Sequence, residues 1–165
     1  MILVTSVQGK SLRSVMENNM EKEKDLIYQT KFWKVILMQD QTYLGRCVIV
    51  LKRQCGDLAE ITHDEALDFF DNIVKKLEKA FRISFKARMF NWACLMNNAY
   101  QEKNPKPQVH WHFRPRYSSK VKVSDEVFVD PNFGYHYERG TEKIIKTKVR
   151  KEIIRKIRLI LKNRN

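Results

Sequence analysis

Apolar residues between Ile27 and Leu51 come in short runs split by polar breaks, and after Thr62 they recur at every third or fourth position. Ile27 to Met38 is rich in aromatic and β-branched residues, which predicts one or two strands with a bend. Gln39 to Thr42 breaks the run as a turn, and Arg46 to Lys52 predicts the next strand, giving a hairpin. From about His63 to Phe81 the spacing of Ala66, Leu67, Phe70, Ile73, Val74, Leu77 and Phe81 is helical. Thr62 followed by Glu65 makes a capping box, acids sit in the first turn and lysines toward the end. His63 is expected to be a surface residue of that cap.

Ser84 to Met96 is expected to be a third long strand, and Asn97 to Pro107 a loop. A further strand follows and should end at Pro115, because proline donates nothing to a ladder. Lys120 to Val123 and Val127 to Val129 are short β-like pieces, and Asp130 to Gly134 is a turn. Ile145, Val149, Ile153, Ile157, Ile160 and Leu161 mark the apolar stripe of a last helix. The order predicts an α+β domain with a largely antiparallel sheet of about five strands, a packed helix and an extra C-terminal helix.

Composition adds limits. The 165 residues suffice for one domain with its own core, and 43% apolar content excludes a disordered chain. No apolar run approaches a membrane span. The opening residues lack the pattern of a signal peptide, and three cysteines without metal-type spacing fit reduced thiols, so a cytoplasmic location is expected. The net charge of +13 favours an anionic partner. Ten Lys and Arg against two acids lie between Thr141 and Asn165. The last helix is therefore either a docked helix with a solvated basic face or an anion-binding or membrane-surface helix, nucleic acid being among the anions.

Gln108-Val109-His110-Trp111-His112-Phe113-Arg114-Pro115-Arg116 carries the candidate chemistry. On a strand, Gln108, His110 and His112 share one face and Val109, Trp111 and Phe113 the other. Two imidazoles on one face suit a nucleophile with a neighbouring proton or hydrogen-bond donor. They suit equally a metal site completed by His136, Cys94 or a carboxylate, or a structural pair. Arg114 joins this face if the strand stays regular. Asn91 is an unusual residue in an otherwise apolar strand, which asks for a polar partner or a ligand. His136, between two tyrosines, is expected to be structural.

The stretch Pro107 to Arg116 resembles the signature of the histidine triad (HIT) superfamily of nucleotide hydrolases and transferases. Element order supports the resemblance over 27–137: a first strand ending near Asp40, the Leu44-Gly45-Arg46 turn, the capped helix, and Asn91 to Asn98 before the triad strand. That leaves 1–26 as an N-terminal arm and 138–165 as a basic C-terminal helix. The first triad histidine is replaced by Gln108. The resemblance implies a catalytic role for His110 as nucleophile, for His112 at the phosphoryl oxygens and leaving group, and for Gln108 as support. It implies nucleotide binding by Asp40 at the ribose, by Asn97 at phosphate and by Asn91. It further implies a nucleotide substrate, a homodimer, and no required cofactor, although a divalent cation can accompany a polyphosphate.

Overall fold

The computed structural model describes residues 24–138 and 140–162. The N-terminal arm therefore lies largely outside the described residues. A five-stranded antiparallel sheet forms from β1 (Leu26–Gln29), β2 (Trp33–Leu37), β3 (Cys47–Leu51), β4 (Met89–Cys94) and β5 (His110–Arg116), in the order β1-β2-β3-β5-β4. The expected hairpin is β2 and β3, paired from Trp33↔Leu51 to Leu37↔Cys47. A separate two-stranded hairpin joins β6 (Val121–Val123) and β7 (Glu126–Phe128).

One continuous helix, α1, covers one face of the sheet. It runs through His63–Asp68, a wide π-type turn at Phe69–Val74, and Lys75–Phe85. The capping box is present: Thr62 Oγ1 accepts from the Glu65 N–H, and the Glu65 carboxylate accepts from the Thr62 N–H. His63 is exposed, as expected. The stripe differs from its sequence reading. Widening a turn shifts the helical face by about one residue, so Phe69 is buried against Trp33 and Trp111 while Leu67 and Phe70 are 50% and 58% exposed.

The third long strand expected at Ser84–Met96 is shorter, and the helix longer. Phe85 is buried in line with Phe81 and Leu77, which draws the helix on. Lys86 ends it in the left-handed region at φ 63°, its N–H returning to the carbonyls of Arg82 and Phe81. The strand then needs only Met89–Cys94.

Pro115 also corrects an expectation, for it lies inside β5 opposite Phe90. Val109 bonds toward β3, through Leu51 N–H to Val109 O, so residues of its parity turn their backbone that way. Pairing with β3 stops at Cys47↔Phe113. The missing N–H of Pro115 therefore points past the end of β3, where no ladder bond is lost.

The final helix, α2 (Thr147–Lys162), buries Val149, Ile153 and Ile157 and packs on α1. Arg150 turns inward among these apolar residues. It pairs with the buried Asp25 and donates to the carbonyls of Leu37, Met38 and Gln39. Arg158 donates to the carbonyls of Leu26 and Ile27. Two cations of the basic segment thus act as braces for β1 and the end of β2.

Candidate functional site

β5 is the inner strand between β3 and β4, so its residues are placed by ladders on both sides. Trp111 and Phe113 face α1. Trp111 stacks on Phe69 at 5.0 Å between centroids, and Phe113 packs among Phe81, Phe90 and Trp92. His110, His112, Arg114 and Arg116 share the opposite face with Val48, Val50, Ala93 and Asn91, their cross-strand partners and neighbours. The strand stays regular to Arg116, so Arg114 does join the histidine row.

The two imidazoles meet edge to face, with Nε2 of His110 3.2 Å from Nε2 of His112. Nδ1 of His110 lies 2.7 Å from the carbonyl oxygen of Gln108. A carbonyl can only accept, so this contact assigns the proton of His110 to Nδ1 and leaves its Nε2 with a free electron pair. His112 must then donate its Nε2–H to that pair. Its Nδ1 is buried and has no hydrogen-bond partner among the described residues. Burial pushes the His112 pKa down to about 3, helped by repulsion from His110, Arg114 and Arg46. Burial also lowers the pKa of His110, partly opposed by its bond to Gln108. Both rings are neutral at pH 7, the state a nucleophilic imidazole requires.

Gln108 supports this pair through its main chain. Its side chain points elsewhere: Nε2 donates to the carbonyls of Leu51 and Arg53 at 2.9 Å each, and Oε1 accepts from the Cys55 N–H. It locks the chain leaving β3 against the start of β5.

A cleft of about 370 Å³ opens beside His112 and Arg114. Met38, Asp40, Thr42 and Arg46 form one wall, Leu95 and Asn97 another, and Tyr137, Glu138, Gly140 and Thr141 close the third. His110, 2% exposed, lies behind His112 along the strand. Asp40 lines the cleft with its carboxylate engaged. Its Oδ1 accepts from the Thr42 N–H and hydroxyl and from the Lys143 N–H, and Arg46 pairs with Oδ2. Asn97, opening a 3-10 turn at Asn97–Gln101, lines the cleft as expected. Asn91 does not; its amide oxygen accepts from Arg116 at 3.1 Å, which supplies the polar partner its position called for.

Arg46, Thr42 and Tyr137 are among the cleft residues that the sequence did not single out. Arg46 and Thr42 are brought in by the β2–β3 connection, and Tyr137 by the chain after β7, its ring 4.1 Å from the Arg114 guanidinium. Gly45 makes that connection possible. It has φ +79°, and a Cβ there would lie 1.9 Å from the Phe81 ring. His136 is exposed, with Nδ1 3.0 Å from the Tyr137 carbonyl. No group of three His, Cys, Asp or Glu converges on a metal-sized site among the described residues. No described helix is long and apolar enough to cross a membrane.

An inner strand of the sheet presents two hydrogen-bonded histidines beside a cleft, and the chain belongs to the histidine triad family: the HIT domain model matches residues 19–119. Among solved structures it is similar to a hypothetical histidine triad nucleotide-binding protein from Sulfolobus tokodaii, with TM-score 0.65 and 15% identity, covering 90% of this chain and 91% of that one. It is also similar to a Hit-like protein involved in cell-cycle regulation from Bartonella henselae, with TM-score 0.60, 16% identity and coverage of 94% and 99%. A zinc-bound histidine triad family protein from Mycobacterium smegmatis has TM-score 0.55, 16% identity and coverage of 91% and 91%. At these identities the likeness is one of fold. No curated protein sequence matches the chain.

Proposed function

We propose that the protein is a nucleotide hydrolase or nucleotidyl transferase acting at the α-phosphorus, with a dinucleoside polyphosphate or nucleoside phosphoramidate as substrate type. The observation that carries this reading is the hydrogen-bond relay from the Gln108 carbonyl through His110 to His112. Gln108 O fixes the His110 tautomer and orients the Nε2 electron pair toward the cleft side. In the resting protein that pair accepts the His112 N–H. An α-phosphate entering beside His112 offers the N–H a charged oxygen instead, which makes the stronger bond. His110 Nε2 then attacks phosphorus, the leaving group departs, and water or another acceptor resolves the nucleotidyl-histidine.

Arg114 adds positive charge on the same face, and Asn97 and the His112 N–H add hydrogen bonds to the phosphoryl oxygens. Asp40 and Thr42 stand on the wall where ribose hydroxyls would lie; a ribose there competes with the Thr42 and Lys143 contacts of Asp40. A homodimer accompanies this reading by family analogy, a cytoplasmic location through its unpaired cysteines, and an optional divalent cation through a polyphosphate substrate. Light scattering, and turnover with and without magnesium, measure the first and last of these.

The experiment is covalent trapping with an α-32P-labelled nucleotide. Label stable to denaturation in the wild type and absent in His110→Ala supports the mechanism. A second reading, a nucleotide-binding module without turnover, is favoured by the near-complete burial of His110. Equal nucleotide binding by wild type and His110→Ala, with neither turnover nor labelling, selects it over the enzyme.

A further inference from the structure

A second cleft, of about 720 Å³, lies apart from the histidines where the end of α1, the start of β4 and the chain around β6 meet. Four cations line it: Lys86, Arg88, Lys120 and Lys122. No acid is among its lining residues, and none of the four side chains has a hydrogen bond or ion pair among the described residues. Lys156 of α2 adds a fifth charge at the rim, its Nζ 5.7 Å above the ring of Phe85, which lines the cleft. The acids of the neighbouring elements are engaged: Asp125 with Lys146, Glu126 with Lys143, Glu152 with Arg155 and Glu78 with Arg82. Part of the unbalanced charge of the chain thus lines a concave place.

The rest of the lining is uncharged but not indifferent. Ser118 and Ser119 offer hydroxyls, Ser84 donates its own to the Lys156 carbonyl, and the half-buried Phe133 offers an aromatic face. The next aromatic on the same turn, Tyr135, is 81% exposed. Cations for phosphates, hydroxyls for their oxygens and aromatic faces for bases are the elements of a groove that takes an unpaired strand. Duplex recognition would place a helix or ribbon in a groove of the nucleic acid, and this site is itself concave. The basic helix α2 is a weaker candidate than its composition implies, since Arg150 faces inward, the exposed Arg158 is bonded to carbonyls of β1, and Arg155 is held by Glu152.

We propose that the cleft between Lys86, Arg88, Lys120 and Lys122 binds the phosphodiester backbone of a single nucleic-acid strand, with Phe133 stacking on a base. Four phosphate contacts give a slope of about −2.8 in log K against log salt, so affinity falls about 50-fold between about 50 and 200 mM salt. The site is separate from the histidine relay and stands or falls independently of the enzyme reading.

The test is fluorescence anisotropy with a short fluorescein-labelled oligothymidylate across a salt series. The combined variant Lys86→Gln, Arg88→Gln, Lys120→Gln and Lys122→Gln should lose at least tenfold in affinity and most of the salt slope, with thermal unfolding unchanged. Phe133→Leu should weaken binding several-fold at an unchanged slope. The proposal is overturned by wild-type affinity in the combined variant, or by loss of binding on Lys148→Gln with Lys151→Gln instead. Competition by inorganic polyphosphate at equal charge concentration, as strong as by unlabelled oligothymidylate, overturns the nucleic-acid assignment. Unchanged affinity in Phe133→Leu overturns the single-strand geometry.

Discussion

Arg116 and Asp130 face each other in a two-pronged ion pair, Nε to Oδ2 at 2.6 Å and Nη2 to Oδ1 at 2.9 Å, with both side chains out of water. The same guanidinium donates to Asn91 Oδ1 and to the carbonyls of Asn132 and Tyr135. It therefore pins the turn that leads to Tyr137 and the cleft wall. Removing one charge strands the other, so Asp130→Asn should cost about 3–5 kcal/mol by urea unfolding. The paired variant Arg116→Met with Asp130→Leu should cost less than the single change. A single-variant loss below 1 kcal/mol would mean that the pair is solvated in solution.

Gly45 and Phe81 make a second prediction. Gly45→Ala meets both the left-handed backbone and the Phe81 ring, and should destabilise by about 3 kcal/mol. Adding Phe81→Leu should recover the steric part and leave the backbone part. Thermal unfolding of Gly45→Ala, Phe81→Leu and the double variant separates the two.

The neutral histidines make stability depend on pH in a defined window. A folded-state pKa held below the ordinary 6.5 means that the unfolded chain binds more protons once pH falls under that value. Stability should thus be full above pH 6.5 and fall by up to about 1.4 kcal/mol for each histidine and each pH unit below it. Glu65, held at about 2 by Arg53, loses its contribution only below its ordinary 4.5. Denaturation at pH 7.5, 6.0 and 5.0 therefore isolates the imidazoles, and His112→Asn should flatten the slope.

Gln108 decides whether the altered triad position limits catalysis. Its carbonyl serves His110 and its side chain serves Leu51, Arg53 and Cys55. Gln108→Ala should cost about 1–3 kcal/mol of stability while changing the rate of His110 labelling less than tenfold. Gln108→His should not raise that rate. A large gain with histidine would show that the side chain, not the carbonyl, governs the nucleophile.

Much of this arrangement was legible in the chain. The alternation around His110 fixed the faces of β5, and Thr62 with Glu65 marked the start of α1, because both signals are local. The end of α1 was hidden because Lys86, rather than glycine, takes the left-handed cap, and Ile83, Ser84 and Phe85 suit a strand as well as a helix. Phe69 and Phe70 exchanged places because a wide turn leaves no compositional mark. Arg150 looked like one more solvated cation in a basic segment, and only its distance partners Asp25 and Leu37 reveal its burial. Asn91 announced a polar partner, but naming Arg116 needed the β4–β5 register.

The matched family region ends at residue 119, yet Tyr137, Glu138, Gly140 and Thr141 close one wall of the cleft and Arg150 secures the carbonyls leading into another. The histidine pair and two walls of the cleft thus lie within the matched region, and the third wall comes from the chain beyond it. That wall can be varied at Tyr137, Glu138, Gly140 and Thr141 while the histidine pair on β5 and the core-packed helix α2 stay as they are.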